Sequence, residues 1–247
     1  TSLNLPESNF LTQVTFLTST PPDLNIASLQ SVENFYVPKD AAIPYFIILQ
    51  DRLSSTINEA SLYTVDTDGT TELCTLKEDN GLILSDDKQT LLAILPSVNG
   101  TCVLPDNITT IASGALDMAS GVTTLVVPPS VTDIQKDSLN GPALTRVLFS
   151  GTTPPTLEEG ALPDNVTVSV PPDSTYDYEQ AWGDSVTLTP ALFELYDKDG
   201  WRYLLETDND GHRSATLLEV PSDLTRFDAG TLGSDIEITA IGDYAFS

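Results

Sequence analysis

The chain repeats part of its own sequence, and this repeat constrains its fold more than any other feature. When the chain is shifted by 133 positions, residues 11–45 align without a gap with residues 144–178, and 13 of the 35 positions are identical. We therefore predict that the two copies fold alike. The shared residues of the first copy are Leu11, Thr12, Val14, Phe16, Thr20, Pro21, Pro22, Leu24, Leu29, Val37, Pro38, Asp40 and Tyr45.

A shorter period lies within the longer one. The segment ITTIASGAL at 108–116 recurs as VTDIQKDSL at 131–139, a spacing of 23 residues, with LVVPPS at 125–130 between them. Each unit reads as an apolar strand, a proline turn and an Ile-x-x-Ile-x-x-x-Ala-Leu element. One such unit cannot bury its apolar side alone, so neighbouring units are expected to stack and share a core.

The long repeat of about 132 residues predicts three units along the chain. Residues 1–57 are the end of a first unit, and residues 58–190 are a complete second unit. The second unit has hairpins at 58–97 and repeats at 98–190, and a third starts at 191–247 with hairpins at 191–226 and a repeat at 227–247. This phase predicts a fragment of a longer tandem array whose exposed ends tend to associate.

The short repeats resemble BspA-type leucine-rich repeats. IGDYAF at 241–246 and VTTLVVPPSVTDI at 122–134 carry the resemblance most directly, with TRVLFSGTTPPTLEEGAL at 145–162 and VSVPPDSTYDYEQAWG at 168–183 as variant and terminating elements. The resemblance implies a strand- and turn-rich leucine-rich-repeat solenoid of the α/β class, with β-hairpin insertions between repeat blocks. It also implies a bacterial cell-surface or secreted protein linked with adhesion, and it offers no catalytic residues to carry over.

Local patterns predict hairpins and one helix. Alternating strands flank Thr67-Asp68-Gly69 and Lys198-Asp199-Gly200, where Asp-Gly supplies a positive φ, and the turn at Asp86-Asp87 reads similarly. A helix is predicted over 176–182, with Ser174 as its N-cap and Gly183 as its stop. In the first copy IPYFIIL at 43–49 replaces the polar helix, so the pattern leaves open whether that copy has a helix.

The charge balance limits the classes of partner that the chain is expected to bind. The chain has 36 acidic and 10 basic residues, a net charge of −26, which disfavours binding to nucleic acid or anionic membranes. We expect no membrane insertion, because the sequence holds no apolar run near the roughly 18 residues that span a bilayer. The two cysteines, Cys74 and Cys102, are too few for a disulfide framework, and either buried thiols or a single bridge fits them.

Candidates for catalysis and metal binding have simpler interpretations. His212 is the single histidine and lies in a polar Asp-Asn-Asp-Gly-His turn. The acidic turns could invite calcium, but the calcium-loop spacing that starts at Glu206 ends on Leu217 rather than on an acid. The adjacent pair Glu158-Glu159 has side chains that tend to diverge. We therefore predict no enzyme, no cofactor and no metal site.

Aromatic residues leave one ligand-binding candidate. Trp201 and Tyr203 follow a predicted hairpin turn and could form a binding platform. The sequence favours a non-catalytic, extracellular or cell-surface protein that acts in protein–protein recognition or adhesion. Its expected partner is a host or bacterial surface protein or a glycan. A carbohydrate-binding module and a structural spacer are the alternatives.

Overall fold

The structure, a computed structural model, describes residues 2–3, 11–24, 26–53, 60–183, 186–224, 232–242 and 245. It divides into two compact units, residues 1–77 (unit 1) and 78–247 (unit 2). Within these residues, no helix is long and apolar enough to cross a membrane. The repeat predicted at 227–247 falls partly outside the described residues.

Unit 1 is built from short strands and one helix. The strands are β1 (Ser2–Leu3), β2 (Gln13–Thr15), β3 (Asp23–Leu24), β4 (Asn34–Pro38), β5 (Ser61–Val65) and β6 (Thr71–Leu73). The helix α1 spans Ala42–Leu53, and 3-10 turns span Ile26–Leu29 and Lys39–Ala41. Strands β2, β4 and β5 pair in parallel, β6 returns antiparallel to β5, and β1 pairs with β3.

Unit 2 holds most of the strands, the first of which, β7, begins at the boundary. Its early strands are β7 (Lys77–Asp79), β8 (Leu82–Leu84), β9 (Thr90–Ile94), β10 (Asn99–Val103), β11 (Thr110–Ile111), β12 (Gly121–Val127), β13 (Asp133–Ile134) and β14 (Arg146–Phe149). The later strands are β15 (Thr156–Leu157), β16 (Thr167–Val170), β17 (Leu188–Pro190), β18 (Leu192–Lys198), β19 (Trp201–Thr207), β20 (Arg213–Glu219) and β21 (Ile236–Ile241). A 3-10 turn at Pro172–Ser174 leads into the helix α2 (Thr175–Trp182).

Two parallel ladders of unit 2 share one core. One sheet has the order β10-β12-β14-β16-β17, and the other contains β15-β13-β11-β9 followed by the antiparallel β8 and β7. The register places Ile111 beside Ile134 and Leu125 beside Val147. These four side chains are fully buried in the same apolar cluster, so the 23-residue period becomes two stacked apolar rows.

A third sheet of unit 2, β18-β19-β20-β21, covers the outer face of the first ladder. Val126 and Leu148 from that ladder pack with Leu204 of β19 in a small buried cluster. The side chains of Arg146 and Glu206 form an ion pair at 2.5 Å beside it. Strand alternation explains this arrangement, because the neighbours Leu125 and Val147 point into the main core.

The prediction of a leucine-rich-repeat solenoid is wrong. The chain is a mixed α/β structure whose described part has five sheets, several of them parallel or mixed, and two short helices. The 23-residue period describes only the strands from β9 to β16, whereas antiparallel pairs form at β5–β6, β8–β9 and β18–β20. The prediction is wrong because it applies this local period to segments whose strands pair antiparallel.

Other local predictions have clear outcomes. The predicted hairpins form, and α2 is confirmed between Ser174 and Gly183, whose φ is 62°. The helix that the sequence left open in the first copy forms as α1. The boundary at 77/78 falls inside the predicted unit 58–190, because β5 pairs with β4 of the first copy. The three repeat units are a statement about sequence and stay a prediction.

Candidate functional site

A groove opens in unit 1 where three parallel strands end. The carboxyl ends of β2, β4 and β5 meet at one edge of their sheet, and the residues that follow them enclose about 610 Å³. We call this the unit 1 groove, and ends of parallel strands are common positions for binding sites. Its lining residues are Thr15, Phe16, Leu17, Pro38, Lys39, Asp40, Val65, Asp66 and Thr67.

Two adjacent apolar residues play opposite parts in the unit 1 groove. Phe16 is 7% exposed and packs its ring 4.6 Å from the ring of Tyr45, while its backbone N–H donates to the Tyr36 carbonyl at 2.8 Å. Leu17 is 89% exposed, the largest exposure among the large apolar side chains that the structure describes. Phe16 therefore forms the floor of the groove and is packed into the core. Leu17 forms the lip of the groove and presents its apolar side chain to solvent.

The rim of the unit 1 groove is charged. Lys39 lies 3.3 Å from the Asp66 carboxylate and 3.5 Å from that of Glu72, and these bonds raise the pKa of Lys39. The backbone N–H of Thr67, followed by Lys39, lowers the pKa of Asp66. The Asp40 carboxylate accepts a hydrogen bond from the Ser19 hydroxyl at 3.0 Å. Asp66 and Glu72 therefore balance the charge of Lys39, and the rim of the groove is acidic overall.

The predicted platform residues, Trp201 and Tyr203, lie on β19 with different accessibility. Tyr203 is 6% exposed and stacks on Tyr196 with ring centroids 4.6 Å apart, so its face is occupied within the protein. Trp201 is half-buried against the same apolar cluster. The role of Trp201 as a binding residue stays a prediction.

His212 and its acidic neighbours form a surface turn between β19 and β20. One oxygen of Asp208 accepts the backbone N–H groups of Asp210 and His212, at 2.9 and 2.8 Å, and its other oxygen lies 3.1 Å from His212 Nδ1. The hydrogen bonds from His212, the backbone one first, lower the pKa of Asp208. Asp208, Asp210 and His212 bring one ligand atom each within 4.8 Å, but all three are exposed and the turn itself accounts for their closeness.

The remaining candidates for reactive groups are the two cysteines and Glu158, and their surroundings favour structural roles. Cys74 and Cys102 are both free thiols, and burial raises the pKa of Cys102 to about 12, which makes it a poor nucleophile at neutral pH. Glu158 accepts the backbone N–H of Lys136 at 2.7 Å and so orders a neighbouring turn.

Sequence reasoning missed Leu17, although the repeat carried a signal for it. The 133-residue shift aligns Leu17 with Ser150, so an apolar residue stands where the other copy is polar. Such a replacement on a shared backbone path points to a surface that differs in use between the copies. Compared with known proteins, the chain matches no family model, no curated protein and no solved structure.

Proposed function

We propose that the chain is a non-catalytic recognition protein, acting outside the cell or at its surface, that binds a partner protein through the unit 1 groove. The observation that carries this proposal is the 89% exposure of Leu17 at the lip of the groove. Leaving a leucine in water forgoes about 1.5–3 kcal/mol of burial energy. The copy with Ser150 follows the same path, so the backbone does not require an apolar residue at this position.

The chemistry of the unit 1 groove favours a basic partner segment with one apolar anchor. Phe16, Pro38 and Val65 give the groove an apolar lining, and Asp40 and Asp66 lie on its rim. The net charge of −26 attracts cationic surfaces and repels acidic ones. An apolar centre inside a polar rim is the usual composition of a protein interface. The resemblance of the repeats to BspA-type surface proteins supports the same class of function.

A binding array tests this proposal. The labelled chain is applied to immobilised matrix proteins and glycans at low and at physiological ionic strength. We expect binding to basic protein spots that weakens as salt rises, because the attraction of exposed charges is screened. The Leu17→Ser variant, which installs the residue of the other copy, is expected to lower affinity about tenfold, as the loss of one apolar anchor does.

Leu73→Ser is the matched control, because Leu73 is an exposed leucine of the same unit, at 55%, on β6 and outside the groove. This variant should bind like the unchanged chain. Equal binding by Leu17→Ser would refute the groove as the interface. Binding to glycan spots alone would favour a carbohydrate-binding module, and no binding to either class would favour a spacer; both results contradict the proposal.

A further inference from the structure

One edge of the parallel sheet in unit 1 has no neighbouring strand. Strand β2 pairs with β4 on one side, and in the described part of the chain no strand lies along its other side. The backbone N–H of Phe16 donates to the Tyr36 carbonyl of β4 at 2.8 Å. Because the backbone groups of successive residues point to opposite sides of a strand, the N–H groups of Gln13, Thr15 and Leu17 point to the open side. Such an edge is a template for a further strand.

The second copy of the repeat shows what occupies the equivalent edge. Strand β12 pairs in parallel with β14 and places Leu125 beside Val147 and Val127 beside Phe149. All four side chains are buried in the same core. The carbonyl of Val127 also accepts the N–H of Ser150 at 3.0 Å. The occupant of this edge is therefore a parallel strand that places an apolar side chain in the core at every second position.

The core of the first copy is less complete beside its open edge. Val147 and Phe149 are 0% and 1% exposed, whereas Val14, the counterpart of Val147, is only partly buried, and Phe16, the counterpart of Phe149, is 7% exposed. In the second copy, Leu125 of β12 covers this position. A strand added to β2 would therefore bury apolar surface in addition to forming backbone hydrogen bonds.

Strand β2 also lacks the charges and prolines that usually protect an exposed edge from pairing. Residues 8–22 contain no charged side chain, in a chain of which 19% is charged. Two other edge strands are protected. Strand β6, at the opposite edge of the same sheet, carries Glu72, and β17 of unit 2 ends in Pro190. The unprotected edge of β2 is therefore suited to pairing with another strand.

We propose that the partner of unit 1 binds as an extended strand that pairs in parallel with β2. This inference rests on the function proposed above, because it assigns a binding mode to the partner of the same groove. Partner residues that face the core beside Val14 and Phe16 are apolar. The alternate partner residues lie on the face of Thr15, which is exposed and polar where the second copy has the buried Leu148. Thr15 lines the groove together with its acidic rim, so basic residues fit these positions.

A second copy of the chain is a poor occupant of this edge. Each molecule has a net charge of −26, so two molecules repel each other, whereas a basic segment is attracted. The expected partner is therefore an extended segment in which apolar and basic residues alternate.

Synthetic peptides test the pairing on the unchanged chain. The probe is a short peptide of alternating lysine and valine, blocked at both ends. Two further versions carry equal numbers of backbone N-methyl groups, on the valines or on the lysines. The backbone groups of core-facing residues point towards β2, as the Val127 carbonyl points towards β14, so only methylation of the valines blocks pairing. We expect the valine-methylated peptide to bind at least tenfold more weakly than the other two.

Nuclear magnetic resonance reads the pairing at the edge itself. The unmodified probe should shift the amide signals of Thr15 and Leu17 saturably and slow their hydrogen exchange. The amide of Phe16, which already donates to Tyr36, serves as the internal reference. Equal binding by the two methylated peptides, or no binding by any of the three, would overturn strand pairing. Loss of partner binding in Leu17→Ser tests the groove separately, so strand pairing can fail while the groove remains the interface.

Proline substitution locates the edge. Gln13 is the first residue of β2 and lies outside the lining of the groove, so Gln13→Pro removes an outward N–H where proline is tolerated. This variant should bind the probe about tenfold more weakly. Thr71→Pro is the matched control, since Thr71 is the first residue of β6 at the opposite edge, and it should bind like the unchanged chain.

Unchanged binding in Gln13→Pro, or an equal loss in Thr71→Pro, contradicts the assignment. The pair of methylated peptides decides the question on the unchanged chain even if Gln13→Pro folds poorly. Analytical ultracentrifugation of the chain alone tests the other occupant. A dimer that the probe dissociates would assign the edge to a second copy and overturn the proposal.

Discussion

The two copies of the long repeat follow the same path and present different surfaces. In the first copy β2, β3, β4 and α1 succeed one another, and β14, β15, β16 and α2 do so at equivalent positions of the second. Each helix buries one tyrosine, and the Tyr45 and Tyr178 hydroxyls donate to the carbonyls of Thr18 and Gly151, at 3.1 and 2.9 Å. The prediction that the copies fold alike is confirmed.

The strands of the two copies have different neighbours. Strand β14 lies between β12 and β16, and the Ser150 hydroxyl and N–H beyond it both donate to the Val127 carbonyl at 3.0 Å. Strand β2 is the edge of its described sheet, and among the described residues no strand stands beside Leu17 to play the part of β12. The repeat thus determines the path, and the neighbouring strands determine which side chains reach solvent.

The helices differ at their ends for a local reason. Gly183 adopts a positive φ of 62° and ends α2 after Trp182, while the equivalent position in the first copy is Gln50. Glutamine is a good helix former without the conformational freedom of glycine, so α1 continues to Leu53. One residue type therefore accounts for the unequal lengths.

The largest effect is expected from the aromatic cluster of the second copy. Trp182 packs on Phe149 and Tyr178, with centroids at 5.1 and 4.8 Å, and its indole N–H donates to the Pro155 carbonyl at 2.9 Å. Trp182→Ala should lower the free energy of unfolding by about 3–5 kcal/mol. Leu49→Ala, at the equivalent buried position, should cost less because no hydrogen bond is lost.

Hydrogen–deuterium exchange of peptides from 144–178 and 11–45 measures both losses separately. Each variant should reduce protection mainly in its own copy. A greater loss of protection in Leu49→Ala than in Trp182→Ala would show that the aromatic cluster is not the stronger anchor.

A smaller effect is expected at the shared tyrosine. Tyr178→Phe should cost about 1–2 kcal/mol, because it leaves the buried Gly151 carbonyl without its donor. Tyr45→Phe should cost about 0.5–1 kcal/mol, since Thr18 is exposed and water can hydrogen-bond to its freed carbonyl. Urea unfolding of the two variants beside the parent chain gives the comparison, and equal costs would contradict it.

Tyr178 is also expected to make the stability of the fold depend on pH. Burial raises the pKa of Tyr178 above its ordinary value near 10, so the folded state favours the neutral phenol. This contribution is complete below about pH 10 and is lost as pH rises above it, when the unfolded chain ionises first. Tyr178→Phe should therefore lose less stability than the parent chain between pH 9 and 11. An identical slope in both would indicate that another group is responsible.

The sequence was sufficient for features that depend on neighbours along the chain. The Asp-Gly hairpins and the end of α2 at Gly183 follow from local backbone preferences, and the equivalence of the two copies follows from direct comparison. Helix α1 stayed open in the sequence because an apolar run such as IPYFIIL has no clear helical period and is equally compatible with a buried strand.

Features that depend on distant neighbours could not be read in this way. The 23-residue period indicates that parallel strands stack, but it does not show where stacking ends and antiparallel pairing begins. The predicted solenoid therefore covered segments that do not belong to the stack. The sequence places Tyr203 beside a hairpin turn, but Tyr196 on the paired strand covers its ring. Leu17 became a candidate only when the structure showed its side chain without a covering strand among the described residues.

The smallest effect on stability is expected at the position that most separates the surfaces of the two copies. Leu17 is 89% exposed, so Leu17→Ser removes almost no buried area and should change the free energy of unfolding by less than about 0.5 kcal/mol. Urea unfolding measures this change, with Phe16→Ala, which empties a buried site and should cost about 3–5 kcal/mol, as the contrasting variant. A large loss in Leu17→Ser would mean that Leu17 belongs to the core of its copy. An unchanged stability would show that Leu17 is not part of the scaffold that the two copies share. Any loss of partner binding in the same variant could then be assigned to the surface.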